Sequence, residues 1–221
     1  MDTPKIKILG AVDYDTALFL QLEERKKVKE GQSPGTIFLL EHVPAVITLG
    51  RNAKEGNVLF PRELLESKGY QVREVSRGGD VTVHEPGQLV AYFVMPLVSK
   101  NVKSFVNGVV TAIQRFLETE YKIKADFNPQ KPGLWVGDKK ICSIGFDLTE
   151  RVSMHGIALN LCNDLAGFKL IVPCGLGGVK LTTVAREMET PLPLDADSPN
   201  KSGIKTPDIG TAMGSLAGYF S

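Results

Sequence analysis

The chain has 221 residues, of which 43% are hydrophobic and 23% charged, and this composition excludes a predominantly disordered protein. Because 26 Lys and Arg balance 25 Asp and Glu, the overall charge does not indicate a nucleic acid or an anionic membrane as a partner. The three cysteines, Cys142, Cys162 and Cys174, are an odd number with no close pair, which fits neither a disulfide framework nor the short ligand spacings of a zinc site. We expect a protein of a reducing compartment. The same cysteine count is compatible with one reactive thiol.

Three features of the sequence bear on location and domain organisation: its first residues, its longest apolar run and its Pro-rich C-terminal part. The first residues lack the basic segment and apolar core of a secretory signal. The longest apolar run, 89–98, is shorter than the roughly 18 residues of a membrane helix. We therefore expect a cytoplasmic protein that has one domain over residues 1–188 and a Pro-rich tail over 189–221.

The first half of the chain alternates short apolar runs with helical segments. Asp13 or Asp15 is a candidate N-cap for a helix that runs to about Lys29. Pro61 and Gly69 bracket a second, short helix. Apolar runs predict strands at 36–40, 46–49, 70–75, 81–84 and 89–94.

The clearest helix is predicted over 104–120, because apolar residues recur along one face, namely Phe105, Val109, Ile113, Phe116 and Leu117. Strands are predicted next at 134–136, 140–148 and 152–161, and the last two are close enough to form a hairpin. Helices inserted among locally paired strands indicate an α+β fold, a single domain with mixed or antiparallel sheets and flanking helices. Within the tail, 209–221 is predicted to form a loosely docked helix or no regular structure.

The first segment with chemical character is 77–88, where two glycines follow an arginine and a histidine comes five residues later. Gly78 and Gly79 allow the backbone to approach a ligand closely, and Arg77 and His84 supply hydrogen-bond donors. Two alternatives stay open at this point. The glycines suit an ordinary hairpin turn, and Arg77 suits a surface ion pair.

The second segment covers 137–160. Lys140 opens an apolar strand, where partial burial would lower the pKa of its amine and prepare it for proton transfer. The alternative is a strand-edge lysine that guards against aggregation. Cys142 fits a small core residue, and His155 fits either a structural or a catalytic histidine.

The third segment is Pro173-Cys174-Gly175. A cysteine between proline and glycine lies on a constrained turn, where free backbone N–H groups can stabilise a thiolate or an oxyanion. An ordinary thiol is mostly protonated at neutral pH, so a catalytic role for Cys174 requires a neighbouring cation or base.

Together these segments resemble the lipoyl(octanoyl) transferase family, which shares a fold with biotin and lipoate ligases. The resemblance is carried in chain order by Leu39-Leu40-Glu41-His42 with Thr48-Leu49-Gly50-Arg51, the segment 77–88, Lys140-Ile141-Cys142-Ser143-Ile144-Gly145, His155-Gly156-Ile157-Ala158-Leu159-Asn160, and Pro173-Cys174-Gly175.

The resemblance implies that Cys174 is the nucleophile and Lys140 its partner. It implies an enzyme that takes an octanoyl group from acyl carrier protein as a thioester and passes it to a lysine of a lipoyl domain. The implied acceptors are the lipoyl domains of 2-oxoacid dehydrogenases and the glycine cleavage H protein. Thioester exchange is nearly balanced in free energy and amide formation is favourable, so no ATP is expected. We also expect no cofactor and no metal site, and neither a nucleic acid nor a membrane as partner.

The resemblance also implies the residues that contact the substrate, with Arg77 and His84 as positioning groups and Val81, Val83 and Ile157 as apolar walls. The implied set is Arg77, Gly78, Gly79, Asp80, Val81, Thr82, Val83, His84, Ser143, Ile144, Gly145, Gly156, Ile157 and Ala158. The family usually has an aromatic residue before the histidine and glycine after it, whereas this chain has Val83 and Glu85.

Two other functions stay open. An ATP-dependent lipoate or biotin ligase has the same fold but forms an acyl-adenylate and needs no cysteine. A non-catalytic relative would bind acyl carrier protein without turnover, and Glu85 is the feature that suggests it. A local excess of lysines over 122–140 also predicts that acidic carrier proteins dock there, with a KM that rises with salt.

Overall fold

The computed structural model describes residues 3–97, 102–173, 177–189 and 207–220. Its helices and strands, in chain order, are β1 (Lys5–Val12), α1 (Tyr14–Lys29), β2 (Thr36–His42), β3 (Val46–Leu49), α2 (Arg62–Ser67), β4 (Gln71–Glu74), β5 (Val81–His84), β6 (Gln88–Val94), α3 (Val102–Tyr121), β7 (Asp126–Phe127), β8 (Gly133–Val136), β9 (Lys139–Asp147), β10 (Met154–Asn160), β11 (Lys180–Leu181), α4 (Val184–Glu189) and α5 (Ile209–Ala217).

Two sheets organise these elements. The larger has the strand order β1-β2-β6-β10-β9-β8-β7, with β11 beside β9, and the smaller has the order β4-β3-β5. Parallel pairs occur in both sheets, between β1 and β2 and between β3 and β4, while the centre of the larger sheet is antiparallel. The predicted α+β fold with mixed sheets is confirmed, and so is the hairpin of β9 and β10.

Helices cover both faces of the larger sheet because successive side chains of a strand point to opposite faces. Ile37 and Leu39 of β2 belong to the core cluster that contains the apolar face of α3. Phe38 and Leu40 belong to the cluster that contains Ala17 of α1. The Asp13 carboxylate caps α1 by accepting a hydrogen bond of 2.9 Å from the Thr16 amide.

Two elements differ from the sequence prediction. Strand β1 was not predicted, because most of its side chains are exposed or half-buried and its strand character comes from parallel pairing with β2. Helix α5 packs tightly rather than loosely, since Ala212, Met213 and Leu216 are buried in the same cluster as α3. Asp208 caps its first turn by accepting a hydrogen bond of 2.7 Å from the Thr211 amide.

The remainder of the predicted tail, 190–206, lies outside the described residues, so the domain boundary at 188 stays a prediction. Among the helices that the structure describes, none is long and apolar enough to cross a membrane.

Candidate functional site

A cavity of about 410 Å³ is lined by residues from both sheets. Its volume lies within the range of small-molecule sites, roughly 300–1,000 Å³. The predicted substrate-contacting residues that line it are Arg77, Gly78, Gly79, Asp80, Val81, Thr82, His84, Ser143, Ile144, Gly145, Gly156, Ile157 and Ala158. The structure thus brings three separate sequence segments together at one site.

Val83 is the predicted substrate contact that does not line this cavity. Neighbouring positions of β5 point to opposite faces, so Val83 faces away from His84. It packs instead in a fully buried cluster with Ile47, Leu65 and Val72. The expected apolar wall at this position is therefore part of the core of the smaller sheet.

Arg77 holds the glycine loop in place. Its guanidinium donates to the Thr48 carbonyl at 2.7 Å, to the Thr48 hydroxyl at 2.8 Å and to the Asp80 carbonyl at 2.8 Å. The residue is 8% exposed, so the alternative of a surface ion pair is wrong. A side chain at Gly50 would overlap the Gly79 carbonyl, which explains why this approach requires glycine.

Asp80 connects the glycine loop to the segment that precedes residue 174. Its carboxylate accepts hydrogen bonds from the Val81 amide at 2.7 Å and from the Asn57 side-chain amide at 2.6 Å. The Asn57 carbonyl in turn accepts a hydrogen bond of 2.8 Å from the Val172 amide. Asn57 thus links Asp80 of the cavity loop to Val172, which precedes Pro173.

The opposite wall consists of small residues on β9 and β10. Gly145 and Gly156 are register partners across the hairpin. A Cβ on Gly156 would overlap the Ala91 carbonyl oxygen and lie 2.8 Å from the Phe93 ring. A Cβ on Gly145 would lie 3.3 Å from Cδ of Arg77. The two walls therefore meet at Gly145, whereas Gly156 lies against β6, and a larger side chain would not fit at either position.

Lys140 lies on an interior strand, between β8, β10 and β11, and is 3% exposed. The alternative of a solvated strand-edge lysine is therefore wrong. Its Nζ lies 5.8 Å from the centroid of the Trp135 ring, and its Cε occupies the space that a side chain at Gly133 would need. Its neighbour Lys139 is more accessible and forms an ion pair of 2.5 Å with Glu187.

Cys174 lies outside the described residues, so its distance from Lys140 stays untested. The other two cysteines are poor candidates for a nucleophile. Burial raises the pKa of the Cys142 thiol to about 12, so it is protonated at neutral pH. Burial also raises the pKa of Cys162, whose Sγ lies 3.7 Å from the Gly87 carbonyl.

The three histidines lie close together, and two of them, His84 and His155, line the cavity. The His42 ring is 5.5 Å from that of His84 and 5.8 Å from Tyr92, whose ring is 6.0 Å from His155. Burial lowers the pKa of His42 and of His155 to about 4 and holds the pKa of His84 well below its usual value. All three rings are therefore neutral at pH 7.

Glu85 replaces the glycine that usually follows the signature histidine, and it lies outside the cavity lining. Its buried carboxylate accepts hydrogen bonds from the Asn163 side chain at 2.8 Å and from the Gly167 amide at 2.9 Å. Both partners satisfy the carboxylate. The substitution thus anchors the loop around 163–167 and places no carboxylate in the cavity lining.

Sequence reasoning missed several residues of the cavity wall. Phe127 comes from β7, Gln130, Lys131 and Pro132 come from the loop between β7 and β8, and Val106 comes from α3. Tyr14, Thr48, Tyr92, Phe146 and Leu148 complete the missed set. Phe146 and Leu148 directly follow the predicted residues 143–145 in the chain, whereas Tyr14, Tyr92 and Val106 enter the site only through long-range packing.

The chain matches the lipoyl protein ligase A/B catalytic domain over residues 13–197. It belongs to the lipoyl protein ligase A/B family. The octanoyltransferase of Alkaliphilus metalliredigens is 39% identical over 186 residues, which cover 83% of this chain and 85% of that protein. The octanoyltransferase of Deinococcus radiodurans is 44% identical over 191 residues, which cover 82% of this chain and 56% of that protein.

A solved structure extends the family comparison to the fold. The bi-partite lipoate protein ligase of Thermoplasma acidophilum aligns with a TM-score of 0.72 at 14% identity. The alignment covers 100% of this chain and 83% of that one. The predicted family resemblance and the lipoate-ligase-like fold of this family member are confirmed.

Proposed function

We propose that this family member transfers an octanoyl or lipoyl group from acyl carrier protein to a lysine of a lipoyl domain through a thioester on Cys174. The observation that carries the proposal is a cavity that joins the glycine loop to a buried Lys140, in a chain whose sequence relatives are octanoyltransferases. The walls contributed by Val81, Ile144 and Ile157 suit an acyl chain. Each methylene that they bury would contribute about 0.8 kcal/mol to binding.

In the first step, the Cys174 thiolate attacks the carbonyl carbon of the octanoyl thioester. The C–S bond to the carrier breaks, the carrier sulfur takes a proton from the Lys140 ammonium and leaves as a thiol, and an octanoyl thioester on Cys174 remains. An ammonium on Lys140 beside Cys174 would favour the thiolate, because an opposite charge lowers the pKa of a thiol.

In the second step, the amine of the acceptor lysine attacks the same carbonyl carbon. An amide bond forms and the Cys174 sulfur leaves, while the proton of the amine passes to a base. Neutral Lys140 is the base that we propose. It lies in the cavity wall, and it has given its proton to the carrier in the first step.

The described residues on either side of 174–176 support a dyad at this site. On one side, the Val172 amide binds the Asn57 carbonyl, and Asn57 binds Asp80 of the cavity loop. On the other side, Leu181 is the register partner of Lys140 on β9. Val172 and Leu181, which flank the segment that contains 174–176, are thus each linked to a residue that lines the cavity, Asp80 or Lys140.

For partners, we propose octanoyl-acyl carrier protein as donor, with lipoyl domains of 2-oxoacid dehydrogenases and the glycine cleavage H protein as acceptors. Of the lysines over 122–140, Lys122, Lys124 and Lys131 are exposed, and Lys131 lies at the cavity. Lys139 is paired with Glu187, so the surface offered to an acidic carrier is smaller than the sequence suggests.

The test is incubation of the full chain with octanoyl-acyl carrier protein without ATP, followed by intact mass measurement. We expect an increase by one octanoyl group that Cys174→Ser abolishes and Cys142→Ser retains. Absence of an adduct in the unmodified protein would overturn the proposal. Amide formation only with ATP and free octanoate would identify a ligase, and carrier binding without any transfer would identify a non-catalytic relative.

A further inference from the structure

A row of buried hydrogen-bonding groups connects His84, in the cavity wall, to the backbone beside Lys140. The side chains of Gln88 and Asn160 and the main chain of Thr182 form the row, and all three residues are buried. Its last hydrogen bond joins the Thr182 amide to the Lys140 carbonyl at 3.0 Å. A buried amide side chain needs a partner for both its N–H and its C=O group. In such a row, one partner that can only accept therefore decides which way every amide faces.

The fixed end is the backbone carbonyl of Thr182, which can only accept. The Asn160 atom that lies 3.1 Å from it is therefore Nδ2. Asn160 Oδ1 consequently points the other way, where it accepts from Gln88 Nε2 at 2.9 Å and from Asn163 Nδ2 at 3.4 Å.

The orientation of Gln88 follows from that of Asn160. Its Nε2 faces Asn160 Oδ1 and also the Val83 carbonyl, at 3.4 Å. Gln88 Oε1 is then the atom that lies 2.8 Å from His84 Nδ1. Because Oε1 can only accept, His84 Nδ1 carries a proton. Burial holds the pKa of His84 well below its usual value, so the ring is neutral and its Nε2 has no proton.

We infer that Gln88 and Asn160 are positioning residues that hold His84 in the Nδ1–H tautomer and present its Nε2 to the cavity as a hydrogen-bond acceptor. An octanoyl chain has no donor for this atom. The attacking amine of a lysine does, and Nε2 orients it through one of its N–H groups. This last step rests on the proposed function, whereas the tautomer follows from the hydrogen bonds alone.

The other two histidines serve as internal references. His42 Nδ1 lies 3.2 Å from the Val12 carbonyl and its Nε2 lies 2.7 Å from the Tyr92 hydroxyl, so its tautomer is fixed without Gln88. His155 Nε2 lies 3.3 Å from the Ser76 hydroxyl. Since the chain contains three histidines, each ring can be resolved in one spectrum.

The test is nitrogen NMR of the full chain with ¹⁵N-labelled histidine near pH 7. We expect His84 to show a protonated Nδ1 and an unprotonated Nε2. Gln88→Met keeps the length of the side chain but removes the acceptor, so the Nδ1–H preference of His84 should be lost while His42 is unchanged. Gln114→Met is the matched control, because Gln114 donates to the Ala125 carbonyl at 2.8 Å and, within the part of the chain that the structure describes, forms no hydrogen bond with a histidine.

A proton on Nε2 of His84 in the unmodified protein would overturn the inference, and this measurement needs no variant to fold. An unchanged His84 tautomer in Gln88→Met, or an equal change in Gln114→Met, would also overturn it. In single-turnover assays we expect Gln88→Met to slow transfer from octanoylated Cys174 to a lipoyl domain at least tenfold, with loading retained. If no octanoyl adduct forms at all, the proposed function fails, and the NMR result still decides the tautomer.

Discussion

The two walls of the cavity are held by different means. The loop wall, residues 77–84, depends on side chains, since the Arg77 guanidinium and the Asp80 carboxylate bind backbone groups of the loop and its neighbours. The strand wall, β9 and β10, depends on main-chain pairing and on the absence of side chains at Gly145 and Gly156. A loop wall of this kind loses its shape when one side chain is removed, whereas the strand wall loses it when one is added.

The largest expected effect concerns the chemistry of the strand wall. Lys140→Met removes the amine and keeps the stem of the side chain, so we expect the rate of octanoyl transfer to fall at least a thousandfold, about 4 kcal/mol in the barrier. Lys139→Met is the matched control on the neighbouring position and should change the rate less than twofold. Steady-state assays with a lipoyl domain measure both, and similar losses in the two variants would contradict the assignment of Lys140.

The second prediction adds a side chain to the strand wall. Gly156→Ala places a methyl group against the Ala91 carbonyl and the Phe93 ring, and we expect a loss of about 3 kcal/mol in the free energy of unfolding. Gly108→Ala lies on α3 with no atom within 4 Å of the added methyl, and should stabilise by roughly 0.5–1 kcal/mol. Urea denaturation measures the stability of both variants. Equal unfolding midpoints would contradict the close approach of Gly156 to Ala91 and Phe93.

The third prediction removes a side chain from the loop wall. Arg77→Met removes the hydrogen bonds that the guanidinium donates to the buried Thr48 carbonyl and hydroxyl and to the Asp80 carbonyl, so we expect a loss of about 2 kcal/mol in the free energy of unfolding. Arg73→Met is the control, since Arg73 pairs with Asp15 at the surface and such pairs contribute less than about 1 kcal/mol. Urea denaturation of both variants should show the difference, and an equally small loss would mean that the loop holds its shape without Arg77.

The last prediction concerns acid and the buried histidines beside the cavity. His42 and His155 have pKa values of about 4 in the folded chain, while an unfolded histidine titrates near a pKa of about 6.5. Between these values the unfolded chain binds more protons, so stability is present at pH 7 and is lost as the pH falls from 6.5 towards 4.

Each of these histidines should therefore remove about 1.4 kcal/mol of unfolding free energy per pH unit in the middle of that range. Urea denaturation at pH 7, 6 and 5 measures the slope. Equal stability at pH 7 and pH 5 would show that the rings are not buried as neutral groups.

Much of the fold and the site follows from local pattern. The apolar repeat along 104–120 predicted α3, and the short connection between two apolar runs predicted the hairpin of β9 and β10. The glycine pair at 78–79 predicted a cavity loop. These features are predictable because turns and helix faces depend on residues close together in the chain.

Other features required the tertiary structure. Val83 and Lys140 both lie on strands whose two faces are buried, so periodicity does not show which face meets the cavity. That choice depends on how the smaller sheet lies relative to the larger one. The buried position of Glu85 depends in the same way on Asn163 and Gly167, about eighty residues away.

The sequence by itself determined the fold class, the glycine loop, the hairpin of small residues and the family resemblance, because local spacing encodes each of them. Only the tertiary structure decided that Arg77 binds carbonyls rather than a surface carboxylate, that Lys140 is buried, and that Gln88 sets the His84 tautomer. Those outcomes depend on hydrogen bonds between residues far apart in the chain, and folding alone brings such residues together.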